Sequence, residues 1–458
     1  MNEKNIKEKK VKDKVHSLRG HLLYSLGAIP SSLPYQIIGS YIVLFYEVII
    51  GLDPFIFGVL WVIYGVWNAI NDPLAGYLMD KKVTKWGRRV PYIVVGTIPF
   101  TIGFILLWWV PWTDQMAIFF HALLMLFLFD LGFTLAMTAW SALYTEMYEE
   151  EEERATMVAM KDTFAFLSGM VSVIITPMIV SATSWTMAGI IFGLTIPISM
   201  YLSLLGIKER KEYQIDKPLS YIPAFKETLT NKPFLIITLT YAILDTIFGL
   251  TMMVLPLYAF FVLEVEVGLI GVGLLGIALG ILISVLFWRW MYAKKGPKYG
   301  LLLSMGIFTA TIWPIFLVND FTMLILITII PGFGVGGMLM TEPAVSAAID
   351  YDELKTGKRR EGTYTGVFGF IVRLSLVLAA ITLTTVQLLT GFESGAETQS
   401  PSALFGLTLL ISLVPVLGGL CALITFKFFP INYKNFCEQQ EKLKVLHEKR
   451  LIELEKIQ

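Results

Sequence analysis

Apolar runs long enough to cross a bilayer recur from one end of the chain to the other, near 21–50, 54–79, 90–110, 115–145, 155–182, 186–206, 233–262, 267–292, 299–318, 321–349, 362–390 and 402–429. About twenty residues at about 1.5 Å per residue span the roughly 30 Å of hydrocarbon in a membrane. Backbone polar groups in lipid must be satisfied within the element, so runs of this length predict helices. The pattern predicts an all-α, polytopic membrane protein of twelve transmembrane helices.

The polar breaks sort by charge. Segments 1–20, 80–89, 146–155, 207–232, 293–298, 350–361 and 430–458 contain or adjoin nearly every lysine and arginine, whereas the loops near Asp53, Asp114, Ser184, Glu264, Asp320 and Glu393 contain none. Basic loops stay on the cytoplasmic side, so both termini are expected there and the chain is expected in the cell membrane as a multi-pass protein. The long middle segment predicts two halves: a six-helix half over 1–206, a cytoplasmic linker over 207–232, a second six-helix half over 233–429 and a charged helical tail over 430–458. A faint repeat supports the halving, because DKKVTKWGRR after the second run is matched by AKKGPKYG after the eighth. The tail alternates charge at helical spacing and reads as a solvated or partner-seeking helix.

Composition narrows the class. The chain has 458 residues, 55% hydrophobic and 16% charged, with a formal net charge of zero, so nucleic acid is not an expected partner. Its two cysteines, Cys421 and Cys437, indicate neither a disulfide nor a metal site. No nucleophile–base pairing and no metal-ligand spacing is evident, so an enzyme is not expected, and His121 reads as a packed histidine. No cofactor is expected.

The informative ionisable residues at membrane depth are Asp72, Asp130, Lys161, Asp162, Asp245, Glu342 and Arg373. A charge at that depth costs on the order of 2.5–3.5 kcal/mol and persists when it faces a bundle interior, a wet cavity, an ion or a partner. For most of them a static ion pair between helices explains the residue as well as a function does. Asp72 stands out, because it lies roughly 12 Å inside its helix from Asp80, with Asn68 one turn earlier on the same face. Oxygens of Asn68 and Asp72, with a carbonyl near Pro73, fit a proton or small-cation site. Arg373, roughly 18 Å into its helix from Glu361, needs an acid, and Asp72 is the best-matched candidate if the second and eleventh runs face each other.

The stretch NAINDPLAGYLMD followed by WGRRVPYI resembles the signature of the glycoside-pentoside-hexuronide:cation symporters of the major facilitator superfamily, which include the melibiose permease and animal lysolipid symporters. AWSALYTEMYEEEEER and AIDYDELKTGKRREGTYTGVFGFIVR agree with it. The resemblance implies the major facilitator fold, a coupling carboxylate at Asp72 and a basic residue of the eleventh helix at Arg373, where lysine is usual. It places Lys161 at a sugar-binding arginine and Trp140 at a substrate-side tryptophan. Three positions depart from the pattern: Asn68 replaces the second cation-site aspartate, and Ser32 and Ala136 replace acidic sugar ligands. It also implies a cytoplasmic gate of Asp80 with Arg88 and Arg89, and in the second half Asp350, Arg359, Arg360 and Glu361.

These readings converge on a secondary transporter that moves a small, sugar- or glycoside-like solute by alternating access, coupled to a proton or sodium ion at Asp72, and monomeric in the bilayer. A lipid or lysolipid carrier of the same fold and a non-transporting membrane receptor or scaffold are the rival expectations.

Overall fold

The computed structural model describes residues 17–79, 87–148, 151–207, 228–357 and 360–457, with side chains at all of these except 72–79, 145–146, 151 and 449–457. Helices account for the ordered elements, and no β-strand occurs among the described residues. Among the described residues, eleven stretches are long and apolar enough to cross a membrane. One of them, Val267–Leu317, is broken at Gly296, whose φ of 79° no helix accommodates, so it supplies two crossings and the total reaches the twelve expected. Pro297 follows and sets the new helix direction.

The chain divides into two compact units: Met1–Leu219 with Glu264–Val272 and Gly391–Gln399, and Ser220–Leu263 with Gly273–Thr390 and Ser400–Gln458. The first contains α1 (Leu18–Leu26), α2 (Ile29–Val43), α3 (Pro54–Met79), α4 (Val90–Leu107), α5 (Gln115–Met147), α6 (Glu151–Ala182) and α7 (Trp185–Leu204). The second contains α8 (Lys232–Phe261), α9 (Leu275–Ile312), α10 (Phe321–Met338), α11 (Glu342–Thr356), α12 (Glu361–Arg373), α13 (Ser375–Thr390), α14 (Pro401–Ile411), α15 (Leu413–Lys427) and α16 (Tyr433–Ile457).

Helix starts follow from residues legible in the sequence. Asp114, Ser184, Asn231, Asp320 and Ser400 each accept a hydrogen bond from a backbone N–H of the first turn, at 2.9–3.2 Å. Such caps satisfy donors that the helix itself cannot. Closest packing uses glycine: a Cβ at Gly132 on α5 would lie 2.2 Å from Phe100 N on α4, and one at Gly280 on α9 would lie 2.1 Å from Ile329 O on α10. Small residues permit this backbone approach where lipid offers no hydrophobic drive for helix association. Large apolar side chains such as Leu286 and Leu389, 77% and 81% exposed, line the outer faces, as a bilayer-facing surface requires.

Several crossings are discontinuous. The eleventh divides between α12 and α13 at Leu374, one residue beyond Arg373, and the twelfth between α14 and α15 at Ser412. The tail, expected as a solvated or partner-seeking helix, is helical over Tyr433–Ile457. It packs on the second unit, where Gln440 Nε2 donates to Asp350 Oδ2 at 3.0 Å and His447 Nε2 meets Glu353 Oε1 at 3.1 Å. Glu353 is fully buried, which a lone acid could not sustain, so the tail supplies part of its polar surroundings.

Candidate functional site

The first unit builds a polar cluster inside apolar helices. Asn68 and Asn71, three apart on α3, present their amides on one face toward Asp130 of α5. Asn68 Nδ2 donates to Asp130 Oδ1 at 2.7 Å, and Asn71 Nδ2 lies 3.0 Å from Asp130 Oδ2 and 2.8 Å from Thr134 Oγ1. From α2, Tyr35 Oη donates to Asp130 Oδ1 at 2.7 Å. Asp130 and Asn71 are wholly buried and Asn68 is 4% exposed. The carboxylate therefore gathers three neutral donors from two neighbouring helices, each bond to a charged group worth about 1.5–3 kcal/mol net. Asn71 Oδ1 is buried without a hydrogen-bond donor among the described residues.

Asp72 is on α3 immediately after Asn71, and its side chain lies outside the described residues, as do Asp80 and Arg359. Asn68, expected to serve as an oxygen ligand beside Asp72, directs its amide nitrogen to Asp130. Asp130 itself was legible as an acid at depth; its donors were not, because which helix faces it depends on packing. The usable signal was the pair of asparagines one turn apart in a run otherwise free of amides.

The remaining expected residues fall into three places. Lys161 on α6 is half-buried, with Nζ 5.1 Å from the centre of the Tyr144 ring and 3.8 Å from Asp162 Oδ1. Trp140, 3% exposed, stacks on Tyr24 with ring centres 4.8 Å apart, and the Tyr24 hydroxyl donates to Trp140 O. Ser32 on α2 packs against Gly169 of α6. None of these three touches the Asp130 cluster through a hydrogen bond found among the described residues. Arg373 ends α12 in the second unit, half-buried.

Of the gate residues, Arg88 and Arg89 are half-buried at the start of α4. In the second unit Asp350 is held by the tail, Arg360 Nη2 binds Asp352 Oδ2 at 2.8 Å, and Glu361 opens α12, exposed. Sequence reasoning did not single out Asp352 or Glu353 of the same stretch. A related contact occurs in the first unit, where His21 Nε2 meets Glu153 Oε1 at 2.9 Å and Arg154 donates to Tyr148 O. His121 is packed as expected, with Nε2 3.0 Å from Leu106 O.

A family model described as MFS/sugar transport protein matches residues 23–433. The chain belongs to that family. Within it the chain is a member of the glycoside-pentoside-hexuronide:cation symporter branch, and the transporter shares the polytopic major facilitator fold. It is 24% identical over 441 residues to the isoprimeverose transporter of Lactiplantibacillus pentosus, covering 92% of this chain and 90% of that one. It is 23% identical over 481 residues to the sodium-dependent lysophosphatidylcholine symporter 1 of Gallus gallus, covering 94% and 90%. Among solved structures, the nucleoside transporter NupG superposes with a TM-score of 0.64 at 15% identity over 90% of this chain and 99% of the other, a likeness of fold. The transporter is thus a multi-pass membrane protein of a symporter family, and its relatives are carriers, not enzymes.

Proposed function

We propose that the transporter moves a sugar- or glycoside-like solute by alternating access, coupled to a proton or sodium ion at Asp72, in the cell membrane with both termini cytoplasmic. The observation that carries this reading is the Asn68–Asn71–Asp130 cluster. It brings a second, fully buried carboxylate to the helix bearing Asp72, at a place where the family's own second acid is replaced by Asn68. Buried acids at membrane depth mark ion and proton pathways, because binding a cation or proton removes the cost of the charge. Lys161, Trp140, Ser32 and Arg373 are the proposed solute contacts, and Asp80, Arg88, Arg89, Asp350, Arg359, Arg360 and Glu361 the proposed gate. Contacts made in one conformation and broken in the other are what a gate requires.

The test is uptake into proteoliposomes of labelled xylosides, glucuronides and lysophosphatidylcholine, under imposed pH or sodium gradients. Concentrative uptake of a glycoside is expected in the unmodified protein. Asp72→Asn is expected to abolish accumulation against a gradient while retaining solute exchange across the membrane, since the ion and not the solute is lost. Full accumulation by that variant refutes coupling at Asp72. Lysophosphatidylcholine uptake with no glycoside uptake transfers the assignment to the lipid-carrier reading, which the relative from Gallus gallus supports by covering 94% of the chain.

A further inference from the structure

The second unit contains a cavity of about 150 Å³ between α8, α9 and α10 that the solute and ion contacts above leave unused. Its walls include Tyr241, Phe248, Ile277, Phe308 and Val335, and they are apolar except at one end. There Asp245 of α8 reaches the wall, half-buried, with Oδ2 accepting a hydrogen bond from Ser375 Oγ. Thr251, the other hydroxyl of the lining apart from Tyr241, donates to Ile247 O at 2.8 Å and is already satisfied. No ion pair to Asp245 occurs among the described residues. Tyr241 lies within electrostatic reach of both Asp245 and Glu342, so two acidic side chains gather beside this part of the cavity.

Three features select a ligand. An uncompensated carboxylate at the edge of an apolar space favours a cation that can follow it there, because neither group is then left without a partner. The aromatic side chains of the wall, Tyr241, Phe248 and Phe308, add a second attraction, because an ammonium is drawn to an aromatic face at short range. The volume matches an apolar cavity of about 150 Å³ known to take benzene, which sets the size of the uncharged part. We propose that this cavity binds a small monocationic amine bearing an aryl body, with its ammonium paired to Asp245 and its ring among Ile277, Phe308 and Val335. The site lies wholly in the second unit and is read at equilibrium, so its test is independent of whether the transporter carries a sugar.

The probes are benzylammonium, benzyl alcohol and benzoate, titrated calorimetrically into purified full-length protein in detergent against a protein-free micelle blank. Benzylammonium is expected to bind saturably and at least about tenfold more tightly than benzyl alcohol, with benzoate weakest. Asp245→Asn should weaken benzylammonium by about tenfold while changing benzyl alcohol by less than about twofold. Val335→Trp, which fills the cavity, should abolish both. Equal affinity for the cation and the alcohol in the unmodified protein overturns the proposal, as does an Asp245→Asn variant that retains wild-type benzylammonium affinity. If either variant fails to fold, the affinity order of the three probes on the unmodified protein decides alone.

Discussion

Asn68 and Asp130 illustrate how one hydrogen bond changes a reading made from residue type. An asparagine where relatives of this branch keep an acid looks like the loss of half a cation site. Its amide nitrogen, 2.7 Å from Asp130 Oδ1, also makes it the neutral partner of an acid on the neighbouring helix. Restoring the acid by Asn68→Asp would therefore set two carboxylates within hydrogen-bond distance in a buried place. Like charges that close cannot both ionise unless a proton or cation lies between them. Uptake by Asn68→Asp is expected to become sodium-dependent, and raising sodium should increase its thermal stability in detergent more than that of the unmodified protein. An unchanged response to sodium in both measurements would show that Asp130 is isolated from the ion. The charged positions at depth were legible in the sequence one by one; their partners were not. Asp130 is separated from Asn68 by 62 residues and Asp245 from Ser375 by 130, and no periodicity encodes which helix faces which.

At the scale of elements, run length and caps carried most of the information. The break between the eighth and ninth crossings was readable from KKGPKYG, because glycine and proline end one helix and start the next. Of the interruptions within crossings, the one at Ser412 precedes Pro415, whose ring excludes a regular helical bond to Ile411, whereas the one at Leu374 has no comparable punctuation; both were missed. Glycines were visible as small residues, yet only packing distinguishes those that matter. Gly132 has no room for a Cβ beside the Phe100 backbone, whereas Gly249 has nothing within 4 Å. Gly132→Val should lower stability by about 1–3 kcal/mol through overpacking between α4 and α5, and Gly249→Val by much less. Thermal unfolding of both variants in the same detergent checks this, and equal losses would remove the packing explanation.

For the whole molecule, the apolar pattern and the family resemblance agree on a carrier fold, and each compact unit has an acid within a crossing that accepts from hydroxyl or amide donors: the buried Asp130 in the first, the half-buried Asp245 in the second. Asp72 and Arg373 belong to different units, and the expectation that they act together concerns function. A double-mutant cycle on solute affinity tests it. Asp72→Ala, Arg373→Ala and the double variant should depart from additivity by about 1–3 kcal/mol if ion and solute binding are linked through them. Strict additivity would assign the neutralisation of Arg373 to another acid. Segments 80–86 and 358–359, which include Asp80 and Arg359, lie outside the described residues, so the gate is as the sequence left it.

The docked tail has a consequence for the order in which the protein is made. A ribosome adds about 5–20 residues per second, so α16 follows the last crossing by a second or more. Until it emerges, Asp350 lacks Gln440 and Glu353 lacks His447. The last residues to be made therefore close the polar end of the second unit. A premature stop in codons 430–458 would thus release a chain with all its crossings and an unfinished face, a form that quality control could recognise by its uncovered acids.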